Sequence, residues 1–250
     1  MDIDGNGLWD EVTGTDLSHD FGIRPLGNLA TPITGDWNGD GDDELGLYHR
    51  GRFYLDLTAN GSWDAESGGD VHHYFQIASI DDTALPIIGD WDGDGVDDLG
   101  LYDQGRFYLD LTANGSWDAE SGGDAHHYFN LASIDDTALP VIGDWDGDGI
   151  DELGLYNQGR FYLDTSENGS WDSVTGGDTH YNFGLTSIHG TARPLVGDFD
   201  GNGVDDLGLF NQGRFYLDSN GNGRWDSVSG GDTFYNFGID GIPLSFTVMD

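Results

Sequence analysis

Four stretches of this chain concentrate carboxylates at a spacing that suits a hard cation. The second of them reads Asp90-Trp91-Asp92-Gly93-Asp94-Gly95-Val96-Asp97-Asp98-Leu99. Acids stand at positions 1, 3, 5 and 9 (Asp90, Asp92, Asp94 and Asp98). Gly95 at position 6 permits a sharp turn, and the carbonyl of Val96 at position 7 can face inward. An oxygen set of this number and hardness suits calcium. The first copy is Asp36, Asn38, Asp40, Asp42 and Glu44. The third is Asp144, Asp146, Asp148, Ile150 and Glu152, and the fourth is Asp198, Asp200, Asn202, Val204 and Asp206. Three or four acids in one tight loop repel one another unless a cation joins them; without one, the segments would be plain Asp-Gly turns.

A second loop type repeats the same spacing with fewer charges. Its copies are Asp2, Asp4, Asn6 and Asp10; Asp56, Thr58, Asn60 and Asp64; Asp110, Thr112, Asn114 and Asp118; Asp164, Ser166, Asn168 and Asp172; and Asp218, Asn220, Asn222 and Asp226. Calcium accepts neutral oxygens but binds more weakly as ligand charge falls. These loops are expected to bind it too, against the alternative of side-chain-capped Asn-Gly turns.

Both loop types recur every 54 residues, as from Gly35-Asp36 to Gly89-Asp90 and from Asn60 to Asn114. A period of this length marks a repeat architecture. One unit reads as four short strands at Leu85–Gly89, Leu99–Tyr102, Arg106–Asp110 and His126–Leu131, each bounded by Gly, Asp or Asn turns. No stretch holds a helical period. The expected fold is therefore all-β, a propeller of about five four-stranded blades in a single domain over 1–250; a linear stack of sheets is the alternative. Units fall at about 35–88, 89–142, 143–196 and 197–241, with 1–34 and 242–250 joining as a composite closing blade. In a four-stranded meander both loop types join an odd to an even strand, so they share one face. An EF-hand shares the first six loop positions. It also needs an acid at position 12 and flanking helices, whereas here an apolar strand starts at position 10.

The Asp-x-Asp-x-Asp-Gly-x-x-Asp-Leu loop after a Gly-Asp strand end resembles FG-GAP or VCBS repeats, over the whole chain. Those build the calcium-binding propeller of integrin α-subunits and of many bacterial surface proteins. The resemblance implies several Ca2+ ions held by the loop carboxylates, an extracellular or cell-surface setting, and a role in adhesion or recognition. Phe-Gly occurs at Phe21, Phe183 and Phe237, but the Gly-Ala-Pro part of that family's pattern is absent, and integrin propellers have seven blades.

Composition narrows the function classes. The 250 residues carry 47 acids against 8 basic residues, all arginine, for a net charge of −39. Nucleic acid and anionic membranes are poor partners for such a surface. There is no cysteine and no apolar run long enough to span a bilayer, which excludes disulfides, thiolate sites and membrane insertion. The first residues, Met1-Asp2-Ile3-Asp4, lack signal-peptide character. A secreted form is thus expected to be a mature fragment, part of a larger surface or secreted protein.

Serines fall in turns with no recurrent His–Asp partner, and carboxylate pairs are everywhere, so no catalytic constellation stands out. The expected role is a binding, adhesion or structural module for a protein or glycan, not an enzyme. The alternative is the propeller domain of a polysaccharide-degrading lyase or hydrolase, for which the non-repeated Arg24, His189 and Arg193 would be the residues to inspect. The adjacent His72-His73 and His126-His127 pairs cannot chelate one ion from a strand, because neighbours point to opposite faces. His73, His127, Tyr181 and Tyr235 are equivalent positions, which fits packing. Arg52, Arg106, Arg160 and Arg214 recur before Phe-Tyr-Leu in structural positions able to grip a carboxylate. Trp63, Trp117, Trp171 and Trp225 are expected to pack between blades, with stacking on a sugar as the alternative. A ligand surface is expected opposite the calcium loops, at turns such as 103–106 and crossovers such as 133–136.

Overall fold

A computed structural model describes residues 20–23, 29–77, 79–80, 82–131, 133–134 and 137–236. Sixteen strands form four sheets of identical order. The first sheet contains β1 (Thr31–Gly35), β2 (Glu44–His49), β3 (Arg52–Leu55) and β4 (Val71–Tyr74). The second contains β5 (Leu85–Gly89), β6 (Asp98–Asp103), β7 (Arg106–Leu109) and β8 (Ala125–Tyr128). The third contains β9 (Leu139–Gly143), β10 (Glu152–Asn157), β11 (Arg160–Leu163) and β12 (Thr179–Asn182), and the fourth β13 (Arg193–Gly197), β14 (Asp206–Asn211), β15 (Arg214–Leu217) and β16 (Thr233–Asn236). Every sheet is an antiparallel meander, and the register repeats from sheet to sheet: Ile33 faces Gly46 as Leu195 faces Gly208. The turn between second and third strands has two residues of positive φ, as at Gln104 (50°) and Gly105 (80°), which matches the right-handed twist of the hairpin.

The first strands lie side by side, β1 by β5, β5 by β9 and β9 by β13, and line a common cavity of 580 Å3. Pro32, Pro86, Pro140 and Pro194 form part of its wall. The sheets thus radiate from a shared axis as the blades of a β-propeller. Their faces are covered by one another. Each hydrophobic cluster spans two blades: Phe53, Leu55 and Phe75 of the first pack with Leu99 and Leu101 of the second. Phe107, Leu109 and Phe129 pack with Leu153 and Leu155, and Phe161, Leu163 and Phe183 with Leu207 and Leu209. Among the described residues no helix is long and apolar enough to cross a membrane.

The strands correct the sequence reading in detail. Third strands end one residue early, at Leu109 instead of Asp110, and fourth strands cover Ala125–Tyr128 instead of His126–Leu131. Asp110 leaves the sheet because its buried carboxylate is taken up by the following loop. Four blades stand among the described residues, not about five. The strands of the expected composite blade fall mainly on residues 1–19 and 237–250, outside the described residues. Thr31–Gly35, whose first four residues had been grouped with that blade, is the inner strand of the first described blade instead. One part of the N-terminal segment is described. Asp20-Phe21-Gly22 repeats the turn of Asn182-Phe183-Gly184, with the side chain of Asp20 or Asn182 accepting from the glycine amide at 3.1 or 3.2 Å. The Phe21 carbonyl accepts from the Trp63 amide at 3.0 Å, as the Phe183 carbonyl does from Trp225 at 3.1 Å. Residues 20–23 therefore flank the first blade as the end of the third blade flanks the fourth.

Aromatic and basic repeats serve this packing. His73 lies over the Asn-Gly turn of the next blade so closely that a Cβ on Gly115 would stand 1.5 Å from its Nδ1. His127 covers Gly169 and Tyr181 covers Gly223 in the same way. Two of the recurrent arginines stack on a ring: the Arg52 and Arg106 guanidinium groups lie 4.1 and 4.4 Å from the ring centres of Tyr74 and Tyr128, whereas Arg160 and Arg214 pair across the strands with Asn182 and Asn236. Trp63, Trp117, Trp171 and Trp225 meet Tyr54, Tyr108, Tyr162 and Tyr216 edge to face at 5.2–5.3 Å. Trp117, Trp171 and Trp225 also join the inter-blade clusters.

Phe107 is wholly buried between the second and third blades. Its replacement by alanine is expected to cost about 3–5 kcal/mol, the usual penalty for emptying an aromatic site, measured by urea unfolding. Gly115→Ala is expected to destabilise as well, and Gly115→Ala with His73→Ala to destabilise less than the sum of the single changes.

Candidate metal centres

The four acidic loops leave the inner strands at Gly35, Gly89, Gly143 and Gly197 and return in the second strands, so the sheet register brings their two ends together. Position 1 organises each loop. Asp36 accepts the amides of Gly39 and Asp40 on Oδ1, at 2.6 and 3.1 Å, and that of Gly41 on Oδ2 at 2.8 Å. Asp90, Asp144 and Asp198 do the same in their loops. These amides, that of Gly203 foremost, hold the Asp198 carboxyl below its ordinary range. Positions 3 and 5 each cap a local turn with one oxygen: Asp146 accepts from the Asp148 amide and Asp148 from Ile150, at 3.1 and 2.9 Å.

Position 9 supplies the unusual group. Glu44, Asp98, Glu152 and Asp206 are all buried at the start of the second strand. Three accept the position 2 amide in resolved bonds, Trp37 at 3.1 Å, Trp145 at 2.8 Å and Phe199 at 3.1 Å. Burial is the main cause that raises Glu44, Asp98 and Asp206 to about 7 and Glu152 to about 8, and the loop aspartates repel in the same direction. One oxygen of Asp98 (Oδ2) and one of Glu152 (Oε1) are buried with no hydrogen-bond partner. Such an atom is costly to leave unsatisfied.

Oxygens of Asp144, Asp146, Asp148 and Glu152 lie within 4.8 Å of one another. The same holds for Asp36, Asp40 and Glu44, for Asp90, Asp92 and Asp94, and for Asp198, Asp200 and Asp206. These groups are positioned to hold a metal ion, and the residue types fit one: carboxylates only, with a desolvated acid beneath. Asn38 donates its amide to Glu44 at 2.7 Å, and Asn202 accepts from the Val204 amide at 2.7 Å, as Asp148 does from Ile150. Asp98 stands outside the group formed by its own loop.

The second loops are built differently. Asp56, Asp110, Asp164 and Asp218 are buried and accept the amides of positions 5 and 6, as Asp56 does from Asn60 at 3.3 Å and Gly61 at 2.5 Å. Asn60, Asn114, Asn168 and Asn222 donate to the position 9 acids Asp64, Asp118, Asp172 and Asp226 at 2.7–2.8 Å. A further acid was missed in the sequence. Asp70, Asp124, Asp178 and Asp232, each after a Gly-Gly pair, are buried and accept the amide of position 9. The Thr58 and Thr112 hydroxyls donate to both buried acids of their loops. The 54-residue recurrence of Gly-Gly-Asp was the available signal. Among the described residues these loops are closed by protein hydrogen bonds, and the expected calcium ligands do not converge there as they do in the first type. The copy at Asp2, Asp4, Asn6 and Asp10 lies outside the described residues.

Of the non-repeated residues singled out above, His189 and Arg193 are described. His189 packs on the Gly159 turn, and burial lowers its pKa. Arg193 is exposed at the start of β13, on the cavity wall. Arg24, and Asp135 and Asp136 of the expected ligand surface, lie outside the described residues.

The raised acids give a signed pH dependence in chelator. A carboxyl whose folded pKa lies above its unfolded value binds more protons when folded, so its contribution to stability falls as pH rises through the folded value. Burial lowers the pKa of several histidines, whose opposing effect acts below about pH 6.5. Between pH 7 and 9 the melting temperature of the chelated protein is therefore expected to fall. Glu152→Gln, which cannot ionise, is expected to flatten that fall, as thermal unfolding at several pH values would measure.

No protein-family model matches the chain, and no curated protein matches it. A solved structure of an Agrocybe aegerita lectin, described by its specific recognition of non-reducing terminal N-acetylglucosamine, aligns at 16% identity with a TM-score of 0.46. The alignment covers 76% of this chain and 49% of that one, so the match spans about half the length of the lectin.

Proposed function

We propose that this chain is an extracellular, calcium-loaded β-propeller that works as a binding or adhesion scaffold for a protein or glycan, and that it performs no catalysis. The observation that carries the calcium reading is Glu152, which keeps one buried oxygen without a hydrogen-bond partner among the described residues and brings a carboxylate oxygen within 4.8 Å of those of Asp144, Asp146 and Asp148. A divalent ion would offset the cost of burying that carboxylate, the main cause of its raised pKa, and the repulsion from the loop aspartates that adds to it. Calcium suits the loop better than magnesium, which demands a tight octahedron and keeps its waters. The FG-GAP/VCBS resemblance of the loop motif points the same way. Filling four loops would move the net charge from −39 to −31, adding two charges per ion (−39 + 8). The binding role is supported by the repetition of the blades, which offers no asymmetric set of nucleophile and base. The extracellular setting rests on the FG-GAP/VCBS resemblance of the loop motif.

Thermal unfolding in calcium, in magnesium and in chelator, at matched ionic strength, tests the metal. Calcium at about 100 times its dissociation constant contributes about 2.7 kcal/mol per site, so several sites should raise the melting temperature by many degrees. Magnesium should restore little of this. Identical curves in the three conditions would reduce the loops to turns. A panel of glycans assayed for both retention and cleavage tests the role: retention without turnover is expected, and turnover by the purified chain would sink the scaffold reading.

A further inference from the structure

Position 8 of the acidic loop had no task in the metal reading, yet it makes the same contact at three successive junctions. The Asp97 amide donates to the Asp36 carbonyl at 2.9 Å, and the Asp97 carboxylate accepts the Asp36 amide at 2.8 Å. Asp151 clasps Asp90 with bonds of 2.9 and 2.9 Å, and Asp205 clasps Asp144 with bonds of 2.8 and 3.1 Å. In each case the partner is position 1 of the loop one blade earlier, the residue whose carboxylate organises that loop. Position 7 adds a second contact in the same direction. A Cβ on Gly39 would stand 3.0 Å from Val96 Cγ2; on Gly93, 2.9 Å from Ile150 Cγ1; and on Gly147, 3.0 Å from Val204 Cγ2. Each loop therefore rests on the position 4 glycine of the loop before it.

The four loops form a continuous arc. Positions 7 and 8 hold the preceding loop, and position 9, the next residue along, supplies the buried acid of its own. Among the described residues the arc begins at the first loop. Position 7 of the first loop is the exposed Asp42, where the other three have Val96, Ile150 and Val204. Its end is visible too, since among the described residues nothing lies within 4 Å of a Cβ on Gly201 in the last loop.

We propose that Asp97, Asp151 and Asp205 are positioning residues that couple neighbouring metal loops, so that the loops fill cooperatively along the arc. The coupling rests on the calcium reading above. An ion held with the position 9 acid, as Glu152 and Asp206 are placed to hold one, would fix the backbone of position 8 beside it, and position 8 in turn would fix both backbone groups of position 1 next door. By linkage the effect is reciprocal: the preceding loop, once filled, favours the following one equally.

The test is a calcium titration of the whole chain followed by the amide signals of the position 6 glycines Gly41, Gly95, Gly149 and Gly203, one reporter per loop. In the unaltered protein the four are expected to titrate together, more steeply than independent sites. Asp151→Ala is expected to break the common steep transition into two, parting Gly95, still joined to Gly41 through Asp97, from Gly149, and, because the coupling is reciprocal, to move the loops on both sides to higher calcium, by up to about tenfold, within the usual range of site-to-site coupling. Gly149 and Gly203, still joined by Asp205, should stay together. Asp151→Asn, whose amide oxygen can still accept from Asp90, should preserve the link. Four independent, shallow titrations in the unaltered protein would overturn the coupling, and this needs no variant to fold. Gly95 and Gly149 remaining together in Asp151→Ala would overturn it as well. A protein whose four glycines ignore calcium would overturn the calcium reading itself, which is a different result.

Discussion

A sheet of four short strands has two faces and no means of covering both. Every feature of this propeller follows from the need to give each blade a neighbour. The second strands are buried along nearly their whole length, and the rings of Phe53, Phe107 and Phe161 are fully enclosed only because the next blade supplies leucines against them. Nearly the whole apolar core is interfacial, so stability is a matter of neighbours, as in other repeat proteins. The contact of His73 with Gly115 shows how tight that matter is: the ring occupies the space where any other residue would carry its Cβ.

The acids are placed where this packing is weakest. Turns at the blade edge have little apolar surface to bury, and here backbone amides and carboxylates replace it. The two loop types solve the same closure problem with different chemistry. In the second type, hydroxyl and amide side chains separate the buried acids, and hydrogen bonds within the protein satisfy most of them. In the first type, carboxylates converge within 4.8 Å of one another, and a desolvated acid stands at the start of the second strand, with an unpartnered oxygen at Asp98 and Glu152. The spacing of 1, 3, 5 and 9 is common to both; the presence of donors among the ligands is what separates a closed turn from a cation cradle.

Crowding the loops along one rim makes the electrostatic problem collective. Each blade adds acids next to those already there, and the contacts from positions 7 and 8 keep the loops from moving apart to relieve the repulsion. A cation in one loop then changes the field and the backbone position felt by the next. The propeller geometry sets the four acidic loops side by side along one face.

Much of this was legible in the residues alone. The 54-residue step, the Gly-Asp strand ends and the alternating apolar runs determined four strands per unit and the radial stacking of units, because short strands between rigid turns have few ways to bury their faces. The first strand, Leu85–Gly89, could be bounded to the residue, since glycine and proline punctuate it. Fourth strands could not, because His126–Leu131 carries the same apolar signal beyond Tyr128, where the chain leaves the sheet. Ligand spacing was equally readable at both loop types, but spacing cannot report which oxygens are already engaged. That depended on Asp70, Asp124, Asp178 and Asp232, which lie outside the motif and meet it only in three dimensions. The same holds for Asp97, Asp151 and Asp205: in sequence they are one more acid in an acidic loop, and only the approach of two blades gives each of them a partner 61 residues away.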